Sequence, residues 1–144
     1  MRNFDCAPPF LVKLPPMEPM DLNGGRFYAR NLLADDRIND IPALSAALDT
    51  EVDAEFVAEA KRKWEADEEY TWAVCEQTNV EMLVFARLNP TSGTLELFPT
   101  ADLTTVLPND PILEPVTIGD AQRVGKDTIS RWAQGFLGMD IKPA

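Results

Sequence analysis

Six residues near the C-terminus, Gln122-Arg123-Val124-Gly125-Lys126-Asp127, combine a glycine, two cations and a run of backbone N–H groups close to a helical pattern. Amides presented at a helix start, beside a glycine that lets a ligand approach, are what a phosphate or pyrophosphate needs. A plain helix N-terminus uses the same residue types, with Asp120 as the cap and Arg123 and Lys126 in solvent. Both readings stand at this level.

Carboxylates are the other chemical resource. Glu76, Glu81 and Glu96 fall at outward positions of period-two segments, where any of them could act as a general base or be an ordinary solvated strand residue. Asp35, Asp36 and Asp40 cluster in one loop. They lack the alternating ligands, the glycine and the distal glutamate of a calcium loop, so capping and loop solvation account for them, and no metal site is expected. Histidine is absent, which removes Ser-His-Asp and Cys-His catalysis and the usual zinc sites. The two cysteines, Cys6 and Cys75, suggest no disulfide framework.

The elements that must position these groups can be read from periodicity. Residues 1–23 hold five prolines and read as an extended arm, and residues 24–144 as a single domain. Arg26–Leu33 alternates like a first strand. A helix follows, with Asn39 as its cap, Pro42 in its first turn, and Ile41, Leu44, Ala47 and Leu48 at helical spacing. Thr50-Glu51-Val52-Asp53 reads as a capping box for a second helix, whose apolar face is Phe56, Val57, Ala60 and Trp64. Between Asp49 and Glu69 there are nine acids against three cations. A solvated face explains that, and so does attraction of a basic acceptor.

The period then changes to two. Residues 70–76, 80–88 and 94–98 read as a meander joined by "QTN" and "NPTSG". Residues 99–117 are mostly loop, with a short edge strand in "ILEPVTI". A last helix carries Val124, Ile129, Trp132, Ala133, Phe136 and Leu137 on one face and stops at Gly138. Trp64, Trp72 and Trp132 read as core. The expected fold class is α+β, a mostly antiparallel sheet with packed helices in the order β-α-α-β-β-β-α.

In "LNGGRFYARNLLADDRINDIPALSAAL" (22–48), Gly25-Arg26, then Arg30-Asn31-Leu32, then Asp35 or Asp36 precede a first helix. This resembles the opening of the GNAT superfamily of N-acetyltransferases, in particular its ribosomal-protein-acetyltransferase branch. Gln122 and Gly125 match the first and fourth positions of that family's pyrophosphate loop, and "RWAQGFLGMDI" resembles the exit of the following helix. The resemblance implies the N-terminal part of an acyl-CoA N-acyltransferase fold and acetyl-CoA as cofactor. It implies amides of Gln122, Arg123, Val124, Gly125 and Lys126 on the pyrophosphate, direct attack by an amine or basic protein acceptor, and Glu96 as base.

This chain departs from the family. Asp127 replaces a small residue, about twenty residues separate Phe98 from Gln122, and the later strands are missing. The alternative is therefore a non-enzymatic, acidic protein-binding module on a truncated form of the fold. A net charge of −11 over 144 residues excludes nucleic-acid and anionic-membrane binding. A cytoplasmic protein is expected, with a homodimer or the arm shielding the sheet edge.

Overall fold

The computed structural model describes residues 20–108 and 112–143. Among the described residues six strands form one sheet in sequence order: β1 (Leu22–Asn23), β2 (Phe27–Arg30), β3 (Tyr70–Glu76), β4 (Val84–Asn89), β5 (Thr94–Pro99) and β6 (Lys142–Pro143). The first five pair antiparallel, and β6 pairs parallel to β5 through Thr94↔Lys142 and Leu95↔Pro143. The fold is α+β, as the periodicities require.

Strand β3 alternates toward two cores. Tyr70, Trp72 and Val74 face the core shared with α3 (Ile118–Trp132), while Ala73 and Cys75 face the core under α1 (Ile41–Leu48) and α2 (Ala54–Glu65). All seven β3 residues are buried, so the strand has no solvent face and helices must cover both sides. Trp64, though carried by α2, packs in the core shared with α3: its ring lies 5.0 Å from Trp72 and 6.4 Å from Trp132. The three tryptophans are core residues.

Several local expectations change. The arm expected over 1–23 lies outside the described residues up to Pro19, and Leu22–Asn23 is strand β1 rather than arm. The first strand ends at Arg30, because the chain then turns to reach the buried Asp40. Asp40, not Asn39, is the N-cap residue of α1. It spends its carboxylate on Arg30, and Asn39 Oδ1 takes the Ile41 N–H at 3.1 Å instead. Helix α2 begins three residues later than the box pattern implied: Asp53 caps it by accepting from Glu55 N at 3.1 Å. Thr50 lies outside the helix, and its N–H bonds back to Ser45 O at 3.2 Å to close α1. "ILEPVTI" forms no strand among its described residues. Thr117 makes one isolated bridge with Val106.

Helix α3 opens into a π-helical turn, Ala133–Leu137, before Gly138 stops it at φ 67°. The wider turn shifts the angular register, which leaves Phe136 58% exposed, stacked on Trp132 instead of lying in the core.

Gly125 decides how near α3 can come to the sheet. A Cβ there would lie 2.9 Å from Val74 Cγ2, a contact that a stiff β-branched side chain cannot relieve by rotation. At Gly135 a Cβ would meet nothing within 4 Å. Gly125→Ala is therefore expected to destabilise by about 1–3 kcal/mol through overpacking, against a helix-propensity gain of about 1 kcal/mol. Gly135→Ala is expected to be neutral or stabilising by up to about 1 kcal/mol. Urea unfolding of both variants checks the contrast.

At α2, Asp53→Ala is expected to cost about 0.5–2 kcal/mol, and Thr50→Ala only a few tenths. Thermal melts of the two variants compare the caps, and an equal loss in both would return the cap to Thr50.

Candidate functional site

The stretch Gln122–Asp127 sits inside α3, in its second and third turns, four residues past the helix start. Its amides belong to the i→i−4 ladder of the helix and do not form a free loop. The free amides of a helix are its first four, and here each has a partner in the protein. Ile118 N donates to Thr105 O at 3.0 Å and Gly119 N to Leu103 O at 2.8 Å. Asp120 N donates to Thr117 Oγ1 at 3.1 Å, and Ala121 N to Thr117 O at 3.1 Å. Thr117 and Asp120 form a reciprocal capping box, with Asp120 Oδ2 accepting from Thr117 N at 2.9 Å. Asp120 is thus the third residue of the helix and not its cap. The Thr117 bonds hold its carboxyl below the usual range. Residues 101–107 therefore lie across the positive end of α3.

The individual side chains follow from this placement. Val124 packs against the α3 core and Gly125 contacts Val74. Gln122 is half-buried, and its Oε1 has no donor among the described residues. Arg123 and Lys126 are exposed. Arg123 reaches Asp120 at 3.5 Å, and Asp127 is bound by Arg131 at 3.1 Å, one helical turn on.

Glu96 is on the other side of the sheet, held by Arg87 at 2.9 Å, with the Arg87 guanidinium over the Phe98 ring. The sheet separates Glu96 from Gln122–Lys126, so the structure does not bring the expected base and the expected cradle together. Glu76 is not an outward group: it is 4% exposed and bonded by Arg26 at 2.8 Å, by Thr78 N at 2.9 Å and by the Thr78 hydroxyl. Strand alternation gave no signal for this: Glu76 registers opposite Phe27, and Arg26, one residue before β2, reaches it with its long side chain.

A second buried pair was not anticipated. Arg30 and Asp40, 4% and 2% exposed, meet in a bidentate contact with both bonds at 2.8 Å. Arg30 also donates to the Asn31 and Val80 carbonyls, and Asp40 accepts from Leu33 N at 2.7 Å. Burial alone would lower the Arg30 pKa, but the bonds to Asp40 outweigh it and the net shift is upward. Burial pushes the neighbouring Cys75 thiol up to about 11, so it stays protonated and unreactive near neutrality. The pair fixes the path of residues 31–40.

That path leaves a groove of about 350 Å³ between residues 31–35 and α2. Leu32, Leu33, Val57 and Ala58 make it apolar, Trp64 and Thr71 close its inner end, and Asp35 and Lys61 stand at its rim. No group of three or more potential metal ligands occurs among the described residues. No helix among them is long and apolar enough to cross a membrane. The chain matches no protein-family model, no curated protein and no solved structure.

For Glu76, burial alone would raise the carboxyl, but the bonds from Thr78 and Arg26 prevail and hold it below its ordinary value of 4.5. A depressed folded-state value stabilises the fold above 4.5, and that contribution is lost as pH falls through the folded value. Unfolding free energy measured at pH 6 and pH 3 should fall more in the native chain than in Glu76→Gln. An equal fall in both would remove Glu76 from the account.

Proposed function

We propose that this chain is a non-catalytic relative of the N-acetyltransferase fold, acting as an acidic module that binds a basic partner protein. The scaffold reading is supported by the element order and by α3, which leads from β5 to a parallel β6. The observation that carries the non-catalytic reading is the occupied start of α3. The Leu103 and Thr105 carbonyls and Thr117 take the four amides that a coenzyme A pyrophosphate would need. Gly125 serves the contact with Val74 and gives no ligand an approach. A carbonyl oxygen in place of a phosphate oxygen satisfies the same donors without any bound anion.

The binding face is α2 and its flanks. Arg62 is engaged by Glu59 at 2.8 Å and Glu68 at 3.3 Å, and Lys63 by Glu69 at 4.0 Å, so two of the three local cations are spent internally. Glu51, Glu55 and Glu65 are exposed and have no ion pair among the described residues. Unspent carboxylates on one side of a chain of charge −11 attract lysine- and arginine-rich surfaces and speed their encounter.

A second reading, a working acetyl-CoA-dependent enzyme acting on an amine, is favoured by the same β5–α3–β6 crossover. It requires residues 101–107 to leave the helix end. Calorimetric titration of the purified chain with acetyl-CoA separates the two: no binding up to about 1 mM is expected, and micromolar binding would restore the enzyme. Asp127→Gly, which in the enzyme reading removes a repulsive carboxylate, should create no affinity. It should cost about 1 kcal/mol of stability instead, through helix propensity and the lost Arg131 pair.

A further inference from the structure

The groove beside α2 has unmet hydrogen-bonding groups at its closed end. Strand β2 stops pairing at Arg30↔Ala73, while β3 runs on to Tyr70, paired only with β4 through Tyr70↔Leu88. Gln77 N bonds toward β2 at Arg26 O, and Val74 O bonds toward β4 at Leu83 N. By alternation the N–H and C=O of Cys75, Ala73 and Thr71 point toward β2. At Thr71 that strand has gone, and no backbone group among the described residues replaces it.

Trp64, 1% exposed, lines the same groove, and its Nε1 has no acceptor among the described residues. Its neighbour Trp72 shows what such an indole takes: the Trp72 Nε1 donates to a backbone carbonyl, Met20 O, at 3.1 Å. An unmet donor–acceptor pair at Thr71, beside the Trp64 ring whose own N–H is sealed beneath the groove, matches an extended peptide backbone, which offers carbonyls and amides in alternation.

Charge selects the peptide. Asp35 stands on one wall and Asp53 precedes Ala54 at the groove's end. Asp35 and Lys61 are the charged residues that line the groove; Asp36, Asp53 and Glu65 flank the lining against Arg37 and Arg62, and Arg62 is already held by Glu59 and Glu68, so the surround is net acidic. Residues 1–19 hold Arg2 and Lys13 against Asp5 and Glu18, which gives that segment no net charge to complement the rim.

We infer that the groove takes an extended basic segment of a partner protein. An apolar side chain lies against Leu32 and Val57, the backbone bonds to Thr71 and lies over the Trp64 ring, and a flanking lysine or arginine meets Asp35 or Glu65. The inference rests on reading the chain as a non-catalytic binding module, and it adds the place and mode of binding.

The test is a nuclear magnetic resonance titration of the full chain with a capped peptide, Lys-Leu-Val-Leu-Lys. The Thr71 amide and the Trp64 indole N–H should shift together and saturate below about 1 mM. The counterpart with glutamates in place of the lysines should bind at least about tenfold more weakly. Ala58→Arg, an exposed change on the groove wall, should weaken the lysine peptide by at least about tenfold. The inference is overturned by absence of those two shifts or by equal binding of the acidic peptide. Through-space contacts from Phe10 or Leu11 to Leu32 in the chain alone would also sink it, since the chain would then fill its own groove. Shifts confined to Glu51 and Glu55 would remove the groove and leave the acidic-surface reading standing. Acetyl-CoA binding in a parallel titration, with Thr71 and Trp64 still responding to the peptide, would remove the non-catalytic reading and keep the groove.

Discussion

Strand β3 is buried along its whole length, and the rest of the molecule is arranged to keep it so. Its two faces carry Trp72 and Val74 on one side and Ala73 and Cys75 on the other. Covering both takes two helices on one face and a third that crosses back on the other. The third helix reaches the sheet only because Gly125 has no side chain, which lets its backbone settle on Val74. Close approach at one point sets the depth of the whole helix, since a helix is stiff over its four turns. From that depth follow the burial of Ile129 and Ala133 and the edge-to-face packing of Trp132 on Tyr70 and Trp72. A glycine that looks like part of a phosphate cradle is thus explained by packing.

The position of α3 also fixes what its start can do. Held against the sheet, its first turn faces residues 103–107, and the loop carbonyls satisfy amides that would otherwise face solvent or a ligand. The Thr117–Asp120 box completes the set. A helix end whose donors are all taken by its own chain has little to offer an anion, whatever cations lie further along.

On the opposite face, a buried ion pair has the organising role. Arg30 and Asp40 are costly to desolvate, and the pair is retained because each charge meets several partners: two shared bonds, the Asn31 and Val80 carbonyls, and the Leu33 amide. The geometry of that pair draws residues 31–40 away from β3. The departure leaves Thr71 without a neighbour strand and opens the groove against α2. The groove is therefore a consequence of how two charges ten residues apart were buried together.

The amino-acid sequence alone determined the α+β class, the order of helices and strands apart from the two-residue edge strands β1 and β6, the meander between Tyr70 and Pro99, the tryptophan core and the stop at Gly138. Each of these is local: a period of two or of about 3.6, a turn residue or a helix terminator is written in neighbouring residues. Helix starts were less legible. Asp53 and Thr117 cap where Thr50 and Asp120 were expected, because Ser, Thr and Asp all suit the position and three-dimensional context chooses among them. Only the tertiary structure decided that Glu76 is buried against Arg26, that Arg30 and Asp40 are partners, that Glu96 and Gln122–Lys126 lie on opposite sides of the sheet, and that loop carbonyls cover the start of α3. Those outcomes depend on pairs ten to fifty residues apart. A side chain's type says what it could bond to, but whether it meets that partner, water or nothing is set by strand register and helix depth, and both come from packing the whole chain at once.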